Sequence, residues 1–342
     1  MARADLLKKL FQSYQHRDDE AFRIVAAALI EEERKKHHVI LANELDRIMK
    51  NGRDPCLYGG AMTSLGPVPR DSERQTPLIE IKNTKRYLQD LVLSDEIRQS
   101  LERVLFEFRD WEVLETNGIP PISRVLFCGP PGCGKTATAE AIASELALPL
   151  LYVRFDSVVS SLLGETASNL RKVFEFAERG QWVMLFDEFD AIGRSRDDTT
   201  EHGEIKRVVN SFLQIMDNFT GRSLIICATN FERALDPAIW RRFDEVILFS
   251  KPTEEGIRRL IMKQLAYLLV QPTHINELTR SLAGSTYADT ERVCFWIRKT
   301  CALRGDRVVR TKDIFEALRS FSYRRSILQR MIHSDAPNID RE

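Results

Sequence analysis

Eight consecutive residues, Gly129-Pro130-Pro131-Gly132-Cys133-Gly134-Lys135-Thr136, carry the clearest chemistry in this chain. The spacing Gly-x-x-x-x-Gly-Lys-Thr suits a loop wrapped around phosphate. Its glycines let the backbone turn tightly, so that N–H groups point inward at phosphate oxygens. A helix read from Ala137 to Leu146 follows and would add its favourable N-terminal dipole. Lys135 is placed to reach the β- and γ-phosphates of a nucleotide, and the Thr136 hydroxyl to bind Mg²⁺. Cys133 admits two readings: a small residue tolerated within the loop, or a thiol whose pKa the helix N-terminus lowers into a redox-active range.

A second chemical group lies about fifty residues on. Val183 to Asp190 reads Val-Met-Leu-Phe-Asp-Glu-Phe-Asp. Four apolar residues make a central strand, and carboxylates at the C-terminal end of a parallel strand face a bound nucleotide. Asp187 would hold Mg²⁺ through water, and Glu188 would orient and activate the attacking water. Phosphoryl transfer needs such positioning and charge neutralisation more than covalent chemistry.

These residues need a scaffold, and the hydrophobic pattern supplies one. Short apolar runs recur at 125–128, 150–153, 183–186, 224–227 and 246–249, separated by helical stretches. Strands alternating with helices predict an α/β fold, a central parallel sheet between helices. Residues 1–50 read as a helical N-terminal domain for docking a substrate or partner. Its stripes are Leu6-Leu7-Leu10-Phe11, Phe22-Val25-Ala26-Leu29-Ile30 and Ile40-Leu41-Leu45-Ile48. Residues 51–76, rich in Gly, Pro, Ser and Asp, read as a linker. The α/β region is expected over 77–250, a small all-helical region over 251–321, and a tail over 322–342.

Composition narrows the function classes. Lys plus Arg and Asp plus Glu both number 50, so the formal net charge is zero. That argues against a general nucleic-acid coat. Six scattered cysteines without a Cys-x-x-Cys pair read as reduced core thiols. No apolar run approaches bilayer length, so no membrane partner and a cytoplasmic location are expected. Neither His-Glu-x-x-His nor Gly-x-Ser-x-Gly occurs, so no protease of its own is recognisable.

From roughly Leu91 to Phe321 the chain resembles the AAA family of ATPases. Beyond the two motifs above, Ala228-Thr229-Asn230 at a strand end matches the family's sensor 1. Leu235 to Asp244 resembles the second half of the family's second region of homology. The resemblance implies a P-loop NTPase fold with a helical C-terminal lid, and ATP and Mg²⁺ as cofactors. It implies that Asn230 contacts the γ-phosphate or its water. Arg241 and Arg242 fall at the positions of fingers that reach a neighbour's γ-phosphate, so hydrolysis would depend on assembly. Asp217-Asn218-Phe219 resembles an inter-subunit signal. Gly284 to Asp289 resembles the start of the lid helix near adenine, which places Ala288 at the nucleotide.

By the same resemblance the segment Ser160 to Thr166 matches a pore loop, with Leu162, Leu163 and Gly164 as its gripping residues. A charged loop, Arg194 to Glu204, would face the same pore. The implied assembly is a homo-oligomeric, hexameric ring that remodels, unfolds or threads a protein substrate. Finer likeness points to stand-alone bacterial AAA ATPases, some encoded beside subtilisin-like serine proteases in defence contexts, so a separate serine protease partner is an expectation. An ATP-switched module that binds and releases a partner without threading remains the alternative. A nucleic-acid loader is disfavoured by the neutral charge and the acidic second loop.

Overall fold

Runs that are apolar on both faces can be buried only as central strands, and the chain folds around them. In the computed structural model the described residues are 67–158, 163–189, 201–230 and 237–334, with Lys9, Phe22 and 24–29 near the N-terminus. In chain order the elements are β1 (Ile79–Lys82), α1 (Asp95–Arg109), α2 (Trp111–Thr116), β2 (Arg124–Cys128), α3 (Lys135–Glu145) and β3 (Leu150–Val153). Then come α4 (Phe155–Val158), α5 (Leu163–Ala177), β4 (Val183–Phe186), α6 (Glu201–Asp217), β5 (Leu224–Thr229), α7 (Pro237–Trp240) and β6 (Glu245–Leu248). Four helices follow: α8 (Glu254–Gln264), α9 (Pro272–Ser281), α10 (Tyr287–Arg304) and α11 (Thr311–Ser334).

The strand order is β1-β3-β4-β5-β2-β6. Five strands pair in parallel, with Leu126 opposite Cys227 and Phe127 opposite Ile247. Beyond the five expected strands, β1 adds a sixth, edge strand, antiparallel to β3 with Ile79 opposite Val153. Its sequence, Ile-Glu-Ile-Lys, alternates apolar and polar, which suits a half-buried edge and gives no continuous apolar run to notice.

Every residue of β4 and β5 is buried. Around β4 an aromatic cluster forms, with Phe186–Phe212 ring centroids 5.0 Å apart and Phe189–Phe212 5.1 Å apart. Such pairs add to area burial. Helix α1 starts where the Ser94 side chain accepts from Ile97 N–H, and buries Ile97, Leu101, Val104, Leu105 and Phe108 on one face. That cap contributes about 1 kcal/mol.

The last four helices share a core that includes Ile257, Ile261, Leu278, Leu282, Val293 and Ile297. Helix α10 begins with a capping box between Thr286 and Asp289 and ends at Gly305, φ 76°. Arg304 then ties the turn together, donating to both carboxylate oxygens of Asp313 and to Asp306. Helix α11 runs well past Phe321, the boundary expected from sequence, to Ser334.

The chain divides into two compact units, Met1–Gly66 and Pro67–Glu342. In the first, residues 24–29 are helical and Ala26 is buried. The other N-terminal stripes, and residues 335–342, lie outside the described residues. In the second, part of the expected linker is packed: buried Asp71 accepts from Glu73 N–H, Arg74 N–H and the side chain of buried Asn169 on α5. No helix among the described residues is long and apolar enough to cross a membrane.

Candidate active site

Three parallel strands end side by side, and their C-terminal ends carry the chemistry. β2 runs into the loop 129–134, β4 into Asp187 and Glu188, and β5 into Asn230. Residues 131–134 of the loop, Asp187, Glu188 and Asn230 line a cleft of about 1200 Å³ that also takes residues from α8 and α10.

The loop's shape depends on positive φ at Gly129 (139°), Gly132 (75°) and Gly134 (102°). Gly129 also has no room for a side chain: an added Cβ would lie 1.9 Å from the Phe249 carbonyl oxygen. Gly129 and Pro130 do not line the cleft. They support it from behind, because the Lys135 ammonium donates to their carbonyls at 2.5 and 3.0 Å. The same ammonium donates to Asn230 Oδ1 at 2.8 Å. Pro131, Gly132, Cys133, Gly134, Thr136 and Ala137 do line it. Lys135 is buried, so its charge is held by carbonyl and amide oxygens rather than by water.

The Thr136 hydroxyl donates to Asp187 Oδ2 at 2.7 Å. A hydroxyl and a carboxylate this close are hard oxygen donors of the kind Mg²⁺ takes alongside substrate phosphates, so the residues present fit that cation.

Glu188 is exposed and has φ 54°, a left-handed conformation that costs a non-glycine residue about 1–3 kcal/mol. Its neighbours impose it. Glu188 N–H donates to Asp187 Oδ1, and Phe189 N–H to the Ala228 carbonyl at 2.8 Å. Phe189 is 1% exposed and locked in the aromatic cluster. The strain aims the Glu188 carboxylate into the cleft while the next side chain stays in the core. Nothing in the run Val-Met-Leu-Phe-Asp-Glu signals this turn.

The lid closes on the loop directly. Ala288 N–H donates to the Gly132 carbonyl at 3.1 Å, and a Cβ at Gly132 would sit 3.0 Å from Thr286 Oγ1. Val92, Leu260 and Tyr287 add nonpolar surface to the cleft. Val92 and Leu260 were not singled out in the sequence, since each belongs to an ordinary-looking segment far from the motifs. Burial pushes the Cys133 thiol up despite the nearby Lys135 and Lys251. This removes the basis for the redox reading, which needed a lowered pKa.

Arg241 and Arg242 lie elsewhere. They precede β6, whose Glu245 pairs with Val125 at the start of β2. They therefore sit at the opposite edge of the sheet from the cleft, a strand length of about 13 Å away at ~3.3 Å per residue. The two also differ. Arg242 donates to Asp217 Oδ2, and Asp217 accepts from Arg124 as well. Arg241 is exposed and has no ion pair among the described residues. Asp217, expected in an inter-subunit signal, is thus engaged within its own subunit.

Leu163 and Gly164, expected on a pore loop, are the first two residues of α5. Leu162 and residues 194–200 of the second loop lie outside the described residues, and Glu201–Glu204 open α6.

Residues 125–251 match the family described as "ATPase family associated with various cellular activities (AAA)". The chain is 40% identical over 326 residues to an uncharacterized AAA family ATPase of Sinorhizobium fredii, covering 95% of this chain and 97% of that one. It is 30% identical over 284 residues to the proteasome-activating nucleotidase of Methanococcus vannielii, covering 80% and 70%. With the nuclear valosin-containing protein-like protein of Mus musculus it shares 34% over 228 residues, covering 63% of this chain and 26% of the mouse protein.

Proposed function

The chain belongs to the AAA family of ATPases, and from that premise we propose that it works as a hexameric ring coupling ATP hydrolysis to the remodelling or unfolding of a protein. The observation that carries the site reading is the convergence of Lys135, Thr136, Asp187, Glu188 and Asn230 at three adjacent strand ends. Likeness to a protein named for activating a proteasome supports a protein as the substrate.

Each residue then has a role. Lys135 exchanges the carbonyls that now hold it for phosphate oxygens, at little cost in reorganisation because its position is already set. Thr136 and Asp187 would hold Mg²⁺, which neutralises charge on the phosphates when bound. Glu188 accepts a hydrogen bond from the attacking water and orients it. Asn230, fixed at the end of β5, steadies Lys135 and turns to the γ-phosphate. Arg241, exposed and outside the lining of its own cleft, would enter a neighbour's and stabilise transition-state charge.

The test is mass photometry of the Glu188→Gln protein with and without ATP and Mg²⁺. A nucleotide-dependent shift to a discrete ring supports the reading. A monomer at all concentrations, with the wild type still hydrolysing ATP, would overturn it. A switch that binds and releases a partner without threading draws support from the helical placement of Leu163 and Gly164. Unfolding of a tagged substrate by Leu162→Ala protein separates the two: loss favours threading, and full retention favours the switch.

A further inference from the structure

A second cavity, of about 160 Å³, lies where the turn before α10 meets α11 and the segment after β6. Its walls carry three cations, Lys251, Arg324 and Arg325, all exposed. Among the described residues none of the three has an acidic partner. Like charges gathered in this way repel one another, and a bound anion would relieve that repulsion. Ser285 is also on the wall. It is 5% exposed, and its hydroxyl is buried without a hydrogen-bond partner. Buried hydroxyls are normally satisfied, and one left open beside cations marks a place where an acceptor belongs.

The wall has one acid, Asp289, and it is engaged: Oδ2 accepts from the Thr286 hydroxyl at 2.9 Å and from Thr286 N–H at 3.4 Å. Three cations against this one carboxylate leave two positive charges. The N-terminal end of the 18-residue helix α10 adds a field of the same sign.

We propose that this cavity is a second oxyanion site that takes a phosphoryl group. Arg324, Arg325 and Lys251 supply charge-assisted hydrogen bonds and the Ser285 hydroxyl donates a fourth. A phosphoryl group carries close to two negative charges at neutral pH, which matches the excess where a single carboxylate would not. Thr286 belongs to this wall and also abuts Gly132 of the phosphate loop. An occupant would therefore brace the lid–loop contact from its far side.

The experiment titrates the full chain, saturated with Mg²⁺ and the non-hydrolysable analogue AMP-PNP so that the main cleft is filled. The probes are inorganic phosphate and, separately, a phosphoserine peptide, read by calorimetry. Saturable binding of one probe per chain is expected, weakened at least tenfold in Arg324→Ala/Arg325→Ala and severalfold in Ser285→Ala. Binding of inorganic phosphate identifies free phosphate as the source; binding of the peptide alone identifies a phosphorylated partner. No binding of either probe overturns the site, as does affinity unchanged in Ser285→Ala and Lys251→Ala, two variants that keep α11 intact if the double variant fails to fold.

Discussion

The ammonium of Lys135 donates to Asn230 Oδ1 at 2.8 Å, joining the phosphate loop to the end of β5. The two residues are 95 positions apart, and the bond exists because β2 and β5 are neighbours in the sheet. Asn230→Ala should leave Lys135 with its two carbonyl acceptors and so spare nucleotide binding within about threefold. Its kcat should fall about 10²-fold, the effect of removing one preorganised polar group from a transition-state site. Lys135→Ala should instead weaken ATP binding at least tenfold. Steady-state kinetics with fluorescent-nucleotide titration separates the two, and an unchanged kcat in Asn230→Ala would refute the role given to that amide.

Two glycines of one loop should respond differently to alanine. At Gly129 the added carbon meets the Phe249 carbonyl at 1.9 Å with φ 139°, so β2 and the segment after β6 must part. At Gly134 φ is 102° but the space is open. Gly129→Ala should lower the melting temperature sharply or abolish soluble protein. Gly134→Ala should lose only about 1–3 kcal/mol, the cost of a strained residue. Equal melting temperatures would contradict the packing described at Gly129.

Arg241 and Arg242 should separate by assay. Arg241→Ala should leave thermal stability and ATP binding unchanged and remove most hydrolysis. Arg242→Ala breaks a partly exposed pair with Asp217, worth about 0–1 kcal/mol, so its stability cost should also be small. Its effect on hydrolysis should come through Asp217, and Asp217→Ala should reproduce it. Mixing Arg241→Ala with Glu188→Gln subunits should restore activity, since each supplies what the other lacks at a shared site. If no ratio restores it, the arrangement in trans fails.

The lid should show an acid-dependent stability. Burial pushes the Asp313 carboxyl up, but hydrogen bonds from Arg304 and the Arg310 N–H outweigh it and hold it below the ordinary range. A lowered folded-state pKa means the contribution is complete above the unfolded pKa and is lost as pH falls through the folded one. Asp313→Asn should therefore lower stability at pH 7, because the partly exposed Arg304 loses the charge of one of its two carboxylate partners. That gap should shrink below about pH 4. Denaturant unfolding at pH 7 and pH 3 checks the sign; a gap that grows on acidification would exclude this account.

The sequence by itself brought out the five parallel strands, because each contains a short apolar run set between helical stretches. It determined the phosphate loop, because only glycines permit those φ values and only Lys and Thr offer that pair of polar tips. It brought out Asp187 and Glu188, since carboxylates follow the apolar run of β4, while Asn230 came forward through the family resemblance of Ala228-Thr229-Asn230. What tertiary structure decided is whatever depends on elements distant in sequence. The edge strand β1 exists because β3 offers an open edge, not because Ile-Glu-Ile-Lys insists on one. Glu188 turns left-handed because Phe189 is pinned to the Ala228 carbonyl and to Phe212. Arg242 is distinguished from Arg241 by Asp217 and Arg124, and the cationic cavity around Ser285 is assembled from three segments that no local pattern joins. Pairing of this kind is set by the sheet order and by helix packing, and those follow from the whole core being filled at once.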